Sequence, residues 1–484
     1  MALYFSNNAP KFPSNSQKIS SGKHYRLAVL PFVSISGDVS MDYLSEGIPE
    51  NLINRLSQST SLELVSRASS FLLTNEEQSS ENVINSLNAN LMLTGRIERL
   101  ADNLIVNCQL VDTERNQQIW GEKVAYKSDD VLEIEEQIVS SLMTTLPENF
   151  RKKKGVSKSW SANAEAQAHF MKGRALSYGS TQEQAEQSLD HFREAIKLDP
   201  KFVAAYVAIA NERQVQAMFA TDTRVTIFNE ARLAVQTALA LDPNYAEAYT
   251  VDAMIKFYQD RDWDGAEASY KKAMRLDDQN ANTLVRYTFF LTTLKRYDEA
   301  LELAQKAVVL DPISISSLHN LGWANLVAEN YEAAERAFSD ALEIHPNWIW
   351  GYIKRGYCHM FQNNCELALK DQQKARQLTG EWGSELIEAC MIFIFDQCNY
   401  QTMENEATKK YFAKISSENY QDPMAMAHVY SSKGDYEESL RWFQIAVNEE
   451  TNSFYQFSLD YTYPQEILDD PRFKQLKHDL NLPE

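Results

Sequence analysis

The sequence predicts a predominantly helical chain in two parts. An α/β amino-terminal domain with the element order β-α-β-α-β-β-β-α precedes an all-α solenoid of helix hairpins. Two observations carry this reading. First, a motif of the form Ala-x-x-Leu-Asp-Pro recurs at 195–200, 238–243, 273–278, 307–312 and 341–346, with a weakened copy at 375–380. The last residues of successive copies lie 43, 35, 34, 34 and 34 positions apart. A hairpin unit of that length cannot bury its apolar face alone and must stack on its neighbours. Second, between 91 and 120 the apolar residues alternate with a period of two rather than 3.6.

The first element is the apolar run 26–32, ended by turn-formers, the pattern of a strand buried on both faces. Residues 43–58 show helical spacing, with Leu44, Ile48, Leu52, Ile53 and Leu56 on one stripe. A short strand at 62–65 and a helix at 81–87 follow. The alternating segments at 91–97, 104–110 and 118–120, joined by turns at 101–103 and 113–116, predict a three-stranded meander. Asp129 and Asp130 open a last helix carrying Val131, Ile134, Ile138 and Leu142, where carboxylates suit the positive end of the helix dipole.

Leu27-Ala-Val-Leu-Pro-Phe32, Ser36-Gly-Asp38, Tyr43-Leu-Ser-Glu-Gly47, Arg67-Ala-Ser-Ser-Phe71, Leu93-Thr-Gly95, Leu110-Val-Asp112 and Ile119-Trp120 together resemble the TolB amino-terminal-like domain. In that family the domain often precedes tetratricopeptide repeats in bacterial signalling proteins and transcriptional regulators. The resemblance implies no catalytic residues. Its members often begin with a winged-helix, adenylate cyclase or kinase domain, and this sequence contains none.

The 34-residue motif resembles the tetratricopeptide repeat. Counting back from its last residue gives eight repeats at 166–202, 203–245, 246–280, 281–314, 315–348, 349–382, 383–419 and 420–453. Small residues fall where paired helices cross, at Gly322 and Ala334, Gly356 and Ala368, Ala427 and Ser439, and Ala210 and Ala231. About nine extra residues around 219–224 predict a long loop inside the second repeat. The expected organisation is a flexible leader 1–24, the α/β domain 25–148, a linker 149–163 with a basic cluster at 151–154, the solenoid 164–453 and a capping segment 454–484. The ending at 469–483 resembles the tail that closes such proteins, so a native carboxyl terminus is expected.

Composition narrows the function. A formal charge of −20 disfavours tracking of nucleic-acid phosphates or binding to an anionic membrane surface. The longest uncharged apolar run, 389–395, is too short to span a bilayer. Five cysteines form no CxxC pair and one stays single whatever the bridging, which favours a reducing, cytoplasmic compartment. The periplasm is the alternative, with 2–5 as the tail of a preceding membrane helix. No phosphate-binding, dinucleotide, zinc-protease or nucleophile-elbow motif occurs. His319, His345 and His359 fall at non-equivalent repeat positions, and Cys358, His359 and Cys365 are three soft ligands without a fourth. No catalytic residue, cofactor or metal is expected.

In tetratricopeptide arrays, positions 2, 5, 9, 12 and 13 of each first helix face inward. The resemblance therefore implies a partner-binding groove of Phe289, Trp323, Leu326, Trp350, Ile353, Tyr357, Met360, Phe361, Met391 and Phe395, with Val327, Ile387 and Ile394 beside them. An apolar face of this extent needs a cover. Either an external protein or peptide ligand or the protein's own carboxyl-terminal segment supplies it. The expected function is a non-enzymatic interaction, scaffold or sensory protein. The alternative is the regulatory or extracytoplasmic half of a bacterial transcription regulator or adenylate cyclase without its output domain.

Overall fold

The computed structural model describes residues 25–35, 42–59, 62–73, 77–100, 103–127, 131–146, 161, 163–177, 181–219, 224–380, 384–416, 421–449, 455, 459 and 462–482. The expected leader, Asp129, Asp130 and the basic cluster at 151–154 lie outside the described residues. The chain divides into two compact units. One comprises 1–213, 230–248 and 276–279, and the other 214–229, 249–275 and 280–484.

The first unit holds a mixed sheet of β1 (Arg26–Val29), β2 (Val33–Ser34), β3 (Glu63–Leu64), β4 (Leu91–Leu100), β5 (Asn103–Asp112) and β6 (Gln117–Lys127), in the order β3-β1-β4-β5-β6, with β2 also on β4. β1 runs parallel to β3 and β4, and β4, β5 and β6 form the antiparallel meander. The expected strand 26–32 is shorter than read, ending at Val29, and β2 lies just beyond it at Val33–Ser34. The helices are α1 (Asp42–Ser59), α2 (Arg67–Ser70), α3 (Ser80–Leu87) and α4 (Val131–Thr145). α1 and α4 bury Leu44, Ile48, Leu52, Leu56, Ile134, Ile138 and Leu142 against Leu91, Leu93, Val106 and Leu110. This is the α/β layer expected from the two periodicities, with β2 and α2 as additions too short to leave a periodic signal.

Among the described residues, eight helix hairpins follow. They are α5 (Ala164–Ser177) with α6 (Gln182–Leu198), α7 (Val203–Phe219) with α8 (Arg224–Leu241), α9 (Ala246–Ile255) with α10 (Trp263–Leu276), and α11 (Ala281–Thr293) with α12 (Tyr297–Leu310). The rest are α13 (Ile315–Val327) with α14 (Tyr331–Ile344), α15 (Ile349–Phe361) with α16 (Cys365–Thr379), α17 (Glu385–Gln397) with α18 (Gln401–Ile415), and α19 (Pro423–Ser432) with α20 (Tyr436–Asn448). The short helices α21 (Gln465–Leu468) and α22 (Pro471–Asp479) close the chain, with Phe473, Leu476 and Leu480 buried and the Phe473 ring 5.1 Å from Phe443.

Two features correct the sequence reading, and a third expectation is untested. Residues 220–223, at the centre of the long loop expected in the second repeat, lie outside the described residues, while α7 and α8 beside them run to 17 and 18 residues. The compact first unit also extends past the expected linker. Met171 of α5 joins the α/β core, and Arg174 of α5 donates to the Glu50 carboxylate of α1. Finally, Gly322 faces an aromatic ring rather than only Ala334. A Cβ there would lie 2.6 Å from Phe338 Cε1, whereas one on Gly356 would meet the swingable amide of Gln372.

The turns inside the third to eighth hairpins share one device. Arg261, Lys295, Glu329, Asn363, Asn399 and Gly434 all have positive φ, between 53° and 72°, at spacings of 34, 34, 34, 36 and 35 residues. A left-handed residue reverses the chain between paired helices, and Gly434, Asn363 and Asn399 are the types that adopt it most readily.

Cys365 and Cys398 form a disulfide across one repeat, with Cα atoms 5.6 Å apart, while Cys108, Cys358 and Cys390 are free thiols. This removes Cys365 from the Cys358–His359–Cys365 grouping. Among the described residues no helix is long and apolar enough to cross a membrane.

Candidate inner groove

The second unit contains a cavity of about 330 Å³ on the inner side of its first helices. Phe289 of α11, His319 and Trp323 of α13, Trp350, Lys354 and Tyr357 of α15, Cys390 of α17 and His428 of α19 line it. Tyr455, Leu459 and Thr462, beyond the last hairpin, line the remaining side. The 34-residue period is what brings these together, since equivalent positions of successive first helices lie one repeat apart.

The ten sequence-derived groove residues separate into three groups. Phe289, Trp323, Trp350 and Tyr357 line the cavity. Leu326, Ile353, Met360 and Met391 are buried in the cluster that forms its walls, so they are packing residues rather than surface ones. Phe361 and Phe395 are half-buried against the same cluster, with Phe361 stacked on Tyr331 at 4.9 Å. Trp323 is only 4% exposed, and its Nε1–H donates to Thr292 Oγ1 at 3.2 Å.

The cover is partly the protein itself. The Tyr455 ring meets Phe289 edge-on at 5.0 Å, and Leu459 joins the cluster containing Trp323 and Tyr357. His428 stacks on Tyr463 at 5.1 Å.

Sequence reasoning missed Lys354. Its ammonium lies 4.5 Å from the Trp323 ring centre, 5.5 Å from Tyr357 and 5.7 Å from Trp350, an arrangement of cation–π contacts. The signal was present, because Lys354 is the cation between Trp350 and Tyr357 at i+4 and i+3 spacing on one helix. Desolvation pulls its pKa below the ordinary lysine value. Burial also moves nearby titratable groups toward their neutral forms: His319 falls to about 4, Cys358 rises to about 12, and Cys390 rises.

Residues 23–142 match the family described as the HilA/YgeH-like transcriptional regulator, second domain. This covers nearly the same segment as the TolB-like resemblance under a different family name. Residues 424–453 match a tetratricopeptide repeat family. The chain is similar to a putative adenylate cyclase 3 of Rhizobium meliloti, 28% identical over 120 residues that are 25% of this chain and 20% of that protein. It is also similar to the type IV pilus assembly protein PilF of Pseudomonas aeruginosa, 30% identical over 120 residues that are 24% of this chain and 47% of that protein. The chain thus spans about a fifth and about half of these two relatives. Among solved structures it is similar to PilW, a type IV pilus biogenesis factor, at 19% identity and a TM-score of 0.38, covering 44% of this chain and 96% of that one. The chain combines a segment similar to the HilA/YgeH-like regulator domain with tetratricopeptide repeats.

Proposed function

We propose that this chain is a non-enzymatic interaction and sensory protein whose solenoid receives a protein or peptide partner and whose α/β domain relays occupancy. The observation that carries the reading is the convergence of Phe289, Trp323, Trp350 and Tyr357 on one cavity, since large aromatics are the usual anchors of binding energy. The similarity of 23–142 to a transcriptional regulator domain supports the narrower version, the regulatory half of a transcription regulator or cyclase. For the compartment, the Cys365–Cys398 bond favours the periplasmic alternative over the cytoplasm, because disulfides persist in oxidising surroundings. Counting free thiols in protein taken directly from its native cells decides this. Three per chain fits the periplasm, and five fits the cytoplasm.

Selection of a displayed random-peptide library on the full chain tests the partner reading. A single enriched consensus should emerge, and Trp350→Ala should weaken it about tenfold or more with little change in melting temperature. Absence of a consensus, or binding indifferent to Trp350→Ala, would refute the reading.

A further inference from the structure

The cavity differs chemically from the rest of the molecule. The chain carries 67 Asp and Glu residues, yet among the described residues the sixteen that line this space include none that is acidic. Its walls are mostly aromatic and aliphatic, with three tryptophans, and its polar groups are Lys354, His319, His428, Ser316, Thr462, Cys390 and the tyrosine hydroxyls. At about 330 Å³ it sits at the lower end of the ~300–1,000 Å³ range of small-molecule pockets.

Lys354 gives the space its polarity. Among the described residues it makes no ion pair, and it is held only by the faces of Trp323, Trp350 and Tyr357. Among the described residues, the titratable groups that line the cavity or act on Lys354 are His319 from α13, Tyr357 and Cys358 from α15, Cys390 from α17, His428 from α19 and Tyr455. None of them is a carboxylate. A cation buried without a counter-charge is destabilising, and a negative group placed beside it recovers that loss in a low-dielectric site. A hydrogen-bonded carboxylate is the simplest such group. The aromatic walls then require the rest of the ligand to be apolar.

We infer that this cavity binds a small organic acid with an aromatic or aliphatic body, its carboxylate on the Lys354 ammonium and its body against Trp323, Trp348 and Trp350. The inference rests on the reading of the inner groove as a ligand site and narrows it from a peptide to a small acid. Tyr455, Leu459 and Thr462 occupy one side of the groove, which suits a short ligand better than a helix.

The test uses the full chain, with tryptophan fluorescence as the readout. The probes are 3-phenylpropanoate, indole-3-acetate and octanoate, each beside its neutral amide. At least one acid should give a saturable change and bind about tenfold or more tighter than its amide, the usual difference for a hydrogen bond to a charged group. Lys354→Met should bring that acid down to the affinity of its amide. If that variant fails to fold, the pH profile of the unaltered protein decides. Lys354 must be protonated to hold the acid, so acid affinity should fall as pH rises from neutral toward 10.5, the ordinary lysine value, while amide affinity stays flat. Failure of all three acids to saturate, equal affinity for acid and amide, unchanged acid binding in Lys354→Met, or a flat acid profile would each overturn the assignment. Peptide selection is a separate measurement. A groove that enriches a peptide consensus but treats acid and amide alike leaves the partner reading standing and ends this one.

Discussion

Two desolvated charges, one in each unit, are handled in opposite ways. Glu50 in the first unit is 7% exposed, and its carboxylate accepts from Arg67 Nε at 3.1 Å and Arg174 Nε at 3.0 Å. Arg67 also reaches Glu46 at 2.7 Å, so every member of that network is satisfied. Among the described residues, Lys354 in the second unit faces only ring faces and neutral groups. A charge surrounded by partners is a structural device, since its desolvation is offset on folding. A charge left in an apolar cavity without a carboxylate is destabilising on its own and stabilised by a ligand. Glu135 stands between them. It is fully buried, accepts from Asn51 Nδ2 at 2.7 Å and lies 3.4 Å from Arg55 Nε, yet burial outweighs both and raises its pKa to about 7.

The largest expected effect comes from breaking the satisfied network. Glu50→Ala leaves Arg67 and Arg174 facing an empty carboxylate site and should destabilise the first unit by about 3–5 kcal/mol in a denaturant titration. A loss below about 1 kcal/mol would put Glu50 in the same class as an exposed pair and erase the contrast.

Glu135 sharpens the comparison through pH. Its folded pKa of about 7 lies above the ordinary value of 4.5, so the folded state holds the proton more tightly than the unfolded chain does. Stability should therefore increase as pH falls from about 7 toward 4.5 and be lost as pH rises through 7, by up to roughly 3 kcal/mol from this group. Glu135→Gln keeps an acceptor for Asn51 and should flatten that slope. An identical slope in the variant would assign the pH dependence to other groups.

The groove walls owe their rigidity to packing rather than charge, and Gly322 tests that. Gly322→Ala pushes a methyl into the Phe338 ring and should cost about 1–3 kcal/mol, whereas Gly356→Ala should cost less because the Gln372 amide can swing away. Equal melting temperatures for the two variants would contradict the crossing geometry. The smallest effect is expected at Lys354 itself. Lys354→Met removes a desolvated cation and keeps most of its volume, so stability should change by less than about 1 kcal/mol or rise slightly. A large loss would show that Lys354 has a structural partner and would align it with Glu50.

Much of the architecture is legible in the order of residues. The 34-residue period marks eight hairpins because each repeat places its small and apolar residues relative to its own two helices, which is local information. The change from period 3.6 to period two locates the meander for the same reason. The positions of Phe289, Trp323, Trp350 and Tyr357 follow from repeat register alone. What the register does not contain is depth. Leu326, Ile353, Met360 and Met391 occupy inward positions like the other four, yet stacking of adjacent repeats buries them in the walls.

Other features depend on residues far apart in sequence. The return of Tyr455 and Leu459 to Phe289 and Trp323 spans more than a hundred residues, and no periodicity encodes it. The Cys365–Cys398 pairing needs two Cα atoms brought to 5.6 Å by the stacking of one repeat on the next. Sequence alone determined the longer helices and strands and the order of repeats, because each is set by neighbours along the chain. Tertiary structure decided which inward residues became wall and which became surface, and among the described residues it set no carboxylate beside Lys354. Burial and electrostatic satisfaction are properties of what surrounds a side chain in space.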